Sequence, residues 1–242
     1  MNDDLAVLEL PLGEWIMNLS VILDAGKGAT LVDTGVPGQA VLILERLEEE
    51  GISRSDLKRI LITHQDIDHI GSLKALKEAT GAEVLALDVE VPYIEGALPS
   101  PKRPSPERLE QNPGLKAMLD ALERTTVDVA LRDGEVLDLA GGVTVIATPG
   151  HTLGHASLYL NRTRTLISGD ALTASEGKLN GPMEMATPDM ATARASVRRL
   201  AELDVKQIVT YHGGLVDQDA NGQLRRLAAE ETGSPAVGTH RD

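Results

Sequence analysis

The stretch Ile60-Leu61-Ile62-Thr63-His64-Gln65-Asp66-Ile67-Asp68-His69-Ile70-Gly71 decides how the rest of the chain is read. Its opening aliphatic run, with Arg59 before it, has the length and branching of a strand buried in a parallel sheet. The run closes on four residues able to bind a metal: His64, Asp66, Asp68 and His69. Open α/β sheets place their ligands on loops leaving the carboxyl ends of strands, which is where this cluster falls. Ile67 and Ile70, set among the polar residues, indicate a half-buried loop rather than a solvated acidic surface. Two histidines and two aspartates this dense point to a metal site.

Upstream, Leu5–Leu10 and Trp15–Leu23 read as strands, and Ala29–Val32 as a third that ends in Asp33-Thr34-Gly35. Asp33 is either a turn residue before Gly35 or a buried support for the metal loop, and the two are compatible. Val41–Glu50 has apolar residues at helical spacing and stops at Gly51. Downstream, Gly71–Thr80 reads as a helix, Val84–Leu87 as a strand, and Asp88–Gly96 as a short helix interrupted by Pro92. Five of the twelve prolines fall in 97–114, which therefore reads as an irregular excursion. Such a segment, followed by a helix at Leu115–Arg124, is either a lid or substrate wall, or a structural or dimerising insertion. A second strand-rich half follows: Val127–Leu131, Glu135–Leu139, Val143–Ala147, Ala156–Leu160 and Thr165–Ser168. It ends in a helix at Ala191–Leu203, a strand at Lys206–Thr210 and a helix at Asn221–Glu231. One domain over 1–231 is expected, with halves of about 1–125 and 126–231, and a flexible polar tail at 232–242 that carries His240.

Composition narrows the chemistry. Of 242 residues, 42% are hydrophobic and 25% charged, as in an ordinary globular protein. The chain has no Cys, so a transition-metal site must be built from His, Asp and Glu. A net charge of −14 argues against nucleic-acid or anionic-membrane partners, and the absence of Phe leaves little to stack on bases. With no signal peptide and no membrane-length apolar run, a cytoplasmic protein acting on a small molecule is expected.

Three further candidates stand at strand ends. His151 follows Thr148-Pro149-Gly150, Asp170 follows Ser168-Gly169, and His212 precedes Gly213-Gly214. The order Asp33-Thr34-Gly35, Thr63-His64-x-Asp66-x-Asp68-His69, Thr148-Pro149-Gly150-His151-Thr152-x-Gly154-His155, Gly169-Asp170, His212-Gly213-Gly214 resembles the metallo-β-lactamase-fold hydrolase superfamily over roughly residues 5–215. The resemblance implies an α/β fold of the αββα sandwich type, with two mixed sheets packed face to face and helices on the outer faces. It implies one metal at His64, Asp66 and His151, a second at Asp68, His69 and His212, and Asp170 bridging both. Asp33 and His155 would support the ligands from behind. Two divalent ions would then hold a bridging hydroxide that cleaves an ester, lactone, thioester or related bond, with Asp68 or Asp170 orienting the nucleophile.

Asp66 departs from the family, which usually has His there. A third carboxylate neutralises the one positive charge that the usual ligands and a bridging hydroxide leave on two divalent ions. Zinc is the expected metal, and the harder donor set also admits iron or manganese. Two other readings stay open. One is a di-iron redox protein related to the flavodiiron proteins, which carry a carboxylate at this position. The other is a metal-binding, non-enzymatic member of the fold. The superfamily's lactonases carry a Tyr shortly after the bridging Asp, and Ala171-Leu172-Thr173 stand here instead. For a hydroxyacylglutathione hydrolase, the basic C-terminal pocket would rest on Arg225 and Arg226 alone. A homodimer is compatible with the sequence.

Overall fold

The computed structural model describes residues 4–230, so the expected tail at 232–242 lies outside the described residues. The chain forms β1 (Leu5–Leu12), β2 (Trp15–Asp24), β3 (Gly28–Val32), α1 (Ala40–Glu49), β4 (Leu57–Ile62), α2 (Ile67–Ile70) and α3 (Leu73–Thr80). It continues with β5 (Glu83–Leu87), α4 (Val91–Ile94), α5 (Pro106–Gln111), α6 (Pro113–Asp120) and β6 (Val129–Leu131). Then come β7 (Val136–Leu137), β8 (Val143–Ala147), β9 (Ala156–Leu160), β10 (Thr165–Ile167), β11 (Thr173–Ser175) and β12 (Lys178–Asn180). The last elements are α7 (Met190–Leu200), β13 (Gln207–Thr210), β14 (Gly214–Val216) and α8 (Ala220–Glu230).

Two mixed six-stranded sheets result. One runs β1-β2-β3-β4-β5-β6, antiparallel up to β3 and parallel beyond it. The other runs β14-β13-β10-β9-β8-β7, antiparallel except where β10 pairs with β13. Val127–Leu131, read from sequence as opening the second half, instead closes the first sheet, with Leu85 opposite Val129.

The pleat of β4 shows how the layers form. Alternate side chains of a strand face opposite sides. Ile60 and Ile62 therefore pack with Ile43, Leu47, Leu73 and Leu76 of α1 and α3. Leu61 faces the other way, into a core shared with Val145, Leu158 and Val209 of the second sheet. A third apolar cluster joins Val197 and Leu200 of α7 and Leu224 of α8 to Leu166 and Ile208. The layers are helix, sheet, sheet, helix, and each buried leucine contributes about 1.5–3 kcal/mol relative to exposure. A strand buried on both faces reads as an unbroken apolar run, which is why β4 was visible in sequence.

The proline-rich segment is less irregular than expected. Pro106 and Pro113 stand at the starts of α5 and α6, where a missing N–H costs nothing. Ser105 and Asn112 accept from Arg108 N and Leu115 N, capping both helices. Pro92 lies in the first turn of α4 and interrupts nothing.

Candidate metal centre

The loop after β4 is organised by a residue that does not face the site. Asp33, just past β3, takes a left-handed φ of 64° and is buried. Its carboxylate accepts from Thr63 N and Thr63 Oγ1, each at 2.8 Å, and from His69 Nδ1 at 2.9 Å. An ionised carboxylate only accepts, so the protons are assigned. Thr63 spends its hydroxyl hydrogen on Asp33, so His64 Nδ1 must donate to Thr63 Oγ1 at 3.0 Å. Both His64 and His69 thereby turn Nε2, the nitrogen a metal would take, away from Asp33.

The second half delivers its groups in the same way. His151 Nδ1 lies 3.2 Å from Thr187 Oγ1, leaving Nε2 turned inward. Asp170 is fixed through its own backbone: its N–H donates to His155 Nε2 at 2.9 Å. His155 Nδ1 must then donate to Thr148 Oγ1 at 2.8 Å, Thr148 to Ser157 Oγ at 3.0 Å, and Ser157 to the Ser168 carbonyl at 3.0 Å. Gly169 permits this packing, because at φ 52° a Cβ would sit 2.7 Å from His155 Nε2. Gly213 turns the chain beside His212, where at φ 116° a Cβ would lie 1.9 Å from the Ala174 carbonyl oxygen.

These loops bring all seven predicted ligands together. Three groups, each with donor atoms within 4.8 Å of one another, are His64–Asp66–His151, Asp68–His69–His212 and His64–His69–Asp170. The Asp170 carboxylate faces both sides: Oδ1 is 3.4 Å from His69 Nε2, while Oδ2 is 3.4 Å from His151 Nε2 and 3.6 Å from His212 Nε2. Asp66 Oδ2 points inward, 3.5 Å from His64 Nε2 and 3.1 Å from His151 Nε2. His155 lies behind Asp170, outside the three groups.

The residues fit a metal on a physical test. Buried polar atoms are almost always satisfied, yet His64 Nε2, His69 Nε2 and Asp170 Oδ1 have no hydrogen-bond partner among the described residues. Three such atoms converging in one place make a cation-coordinating cradle, and nitrogen and carboxylate donors suit zinc, iron or manganese. Protonation favours it too. Burial, and then the charge of His69, push His64 down to about 4, so it stands neutral at neutral pH. Burial works to raise the Asp170 carboxyl, but the charge of His69 and its hydrogen bond hold it well below the usual carboxylate range.

Four supporting residues escaped the sequence reading. Glu90, fully buried at the start of α4, accepts from Gln65 N at 3.0 Å and Gly154 N at 2.8 Å, tying the two ligand loops together. Tyr211 stacks on His69 with ring centres 3.9 Å apart and donates to the Asp68 carbonyl. Thr187 orients His151. Lys102, from the proline-rich segment, reaches Asp66 Oδ2 and also His151 Nε2 at 2.9 Å. None has a local sequence signal, because each arrives by packing from a distant part of the chain.

Comparison with known proteins gives the family. A family model described as the metallo-beta-lactamase superfamily matches residues 13–212. A probable metallo-hydrolase of Bacillus subtilis is 33% identical over 201 residues, covering 76% of this chain and 74% of that protein. A hydroxyacylglutathione hydrolase of Haemophilus influenzae is 28% identical over 170 residues, covering 67% of this chain and 70% of that one. The crystal structure of a metallo-beta-lactamase family protein from Thermus thermophilus superposes with a TM-score of 0.73 at 26% identity, covering 95% of this chain and 79% of that one. Fold, donor cluster and relatives together define a metal-dependent hydrolase. The chain belongs to the metallo-beta-lactamase superfamily.

Proposed function

We propose that the protein is a dinuclear hydrolase that transfers a small acyl group to water. One ion would be held by His64, Asp66 and His151, the other by Asp68, His69 and His212, with Asp170 serving both. The observation that carries this reading is that two of the three donor groups found among the described residues match the two expected triads. Residues 1–231 would act as one domain, each half supplying part of the site. Zinc is the first candidate, with iron or manganese admitted by the Asp66 oxygen.

When bound, such ions polarise a scissile carbonyl and lower the pKa of the attacking water. The chain supplies orientation. Burial works to raise the Asp68 carboxyl, but the neighbouring His69 holds it lowered, as His69 does for Asp170, so both stay ionised as acceptors. Acceptors this acidic hold a water by its hydrogens and do not store its proton. Two exposed apolar residues stand close in sequence to His151 and its partner: Leu153 two residues after His151, and Met185 two before Thr187. They support an apolar acyl portion in the substrate, and the hydroxyacylglutathione in the Haemophilus relative's name is one candidate.

The test is hydrolysis of an ester, lactone, thioester and phosphodiester panel, with metal analysis of the purified protein. Activity should vanish on chelation and return with zinc. Asp170→Ala should lose more than the roughly 100-fold that outer supports typically cost. Identical traces for both proteins would favour a non-enzymatic member, and an iron chromophore would favour the redox reading.

A further inference from the structure

Lys102 stands where the two-ion reading would place a metal, and its contacts identify it as more than a neighbour of the site. Its ammonium donates to Asp66 Oδ2 and, at 2.9 Å, to His151 Nε2. We propose that the Lys102 ammonium and an ion in the His64–Asp66–His151 group are alternative occupants of one place, so that filling that place requires the segment around Lys102 to withdraw. The inference rests on the proposed two-ion reading and deepens it.

His151 makes the exclusion strict. A carboxylate oxygen has lone pairs enough to serve an ammonium and an ion together, so Asp66 alone would decide nothing. An imidazole nitrogen has one lone pair in the ring plane. With Nδ1 turned to Thr187, His151 can offer only Nε2, and Lys102 is using it. Lysine carries donors and no acceptor, so the bond cannot be reversed to free that lone pair. Charge acts in the same direction, because an ammonium beside a divalent ion in a buried cluster is strongly repelled.

The segment carrying Lys102 is suited to move as a unit. It spans residues 95–105 between α4 and α5, with Pro99, Pro101 and Pro104 fixing its backbone. Beyond Glu95, which accepts from Val127 N at 2.9 Å, its backbone hydrogen bonds are short-range: Leu98 N donates to the Pro92 carbonyl, Lys102 N to Ser100 Oγ, and Arg103 N to the Ser100 carbonyl. The side chain of Lys102 is only 16% exposed, whereas Pro101 and Arg103 on either side are exposed. Both side-chain contacts of Lys102 fall in the first donor group. The Asp68–His69–His212 group should therefore load first and tightly, and the first group second and weakly.

The experiment is a zinc titration of the chelator-treated full chain against a chromophoric competitor, for the wild type and Lys102→Met, which keeps the apolar stem. Two sites of unequal affinity are expected in the wild type. In the variant the weaker should tighten by about tenfold or more while the tighter stays unchanged. Wild-type affinity at both sites of the variant overturns the inference. Absence of zinc binding in both proteins overturns the two-ion reading itself, and the inference with it. Should the variant fail to fold, trypsin cleavage between Lys102 and Arg103 of the wild type decides. Zinc should accelerate it, and a cut rate indifferent to zinc overturns the inference.

Discussion

Asp33 shows how a residue that touches no metal can set a whole site. One carboxylate fixes the tautomer of His69 directly and that of His64 through Thr63. Asp33→Asn keeps the shape but replaces an acceptor with a donor. An amide N–H would face either Thr63 N–H or His69 Nδ1–H, and the His69 proton is pressed towards Nε2, where the metal lone pair belongs. Zinc affinity should fall about 10–100-fold with the fold intact, read by competition with a chelator. Unchanged affinity would mean the ligands orient themselves. The sequence could show Asp33 as a candidate because it ends a strand beside Gly35. It could not show Lys102, whose role depends on a side chain crossing from a proline-rich loop to Asp66.

At the scale of elements, what could be read was whatever carries a long apolar signal. The strands β2 and β4 and the faces of α1 and α7 bury enough consecutive or periodic side chains to be visible. The elements β11, β12 and β14 have three residues each, too few for any period to register. The α5 helix was hidden because Pro106 looks like a breaker when it is a starter. The α4 turn matters most here, since it positions Glu90. That carboxylate accepts one N–H from each ligand loop, one through each oxygen. Glu90→Gln leaves a single oxygen and sets an amide N–H against a buried backbone N–H. A loss of about 1–3 kcal/mol in denaturant unfolding is expected, without loss of any metal donor. A midpoint equal to the wild type would show that the loops hold without this tie.

Across the whole molecule, the candidate ligands follow strands of both sheets, so metal binding would be linked to folding. Burial holds His64 at about 4 and pushes His155 well below its ordinary value. These two contribute stability that is present above about pH 6.5 and lost as pH falls through their lowered values. Burial opposes the charged forms of His69 and His212, but Asp33, Asp170 and Asp68 raise His69, and Asp68 raises His212. Their contribution has the opposite sign: it is present at low pH and lost as pH rises through the raised values. A bound ion keeps His69 and His212 neutral and removes the opposing pair. Zinc should therefore stabilise the fold by about 2.7 kcal/mol at one hundred times its Kd near neutrality, and by less as pH falls towards 5.5. Thermal unfolding with and without chelator at two pH values reads this; a zinc increment that grows in acid would refute it.

The relay behind Asp170 gives this linkage a further meaning. From His155 through Thr148 and Ser157 to the Ser168 carbonyl, every hydrogen has one permitted direction, and the last acceptor is a peptide oxygen that cannot pass a proton on. Such a chain is an insulator rather than a wire. It grips the backbone of Asp170, which faces histidines of both candidate triads, yet adds no charge and offers no path for a proton from them into the core. On the proposed reading, hydrolysis would pass no proton through this relay.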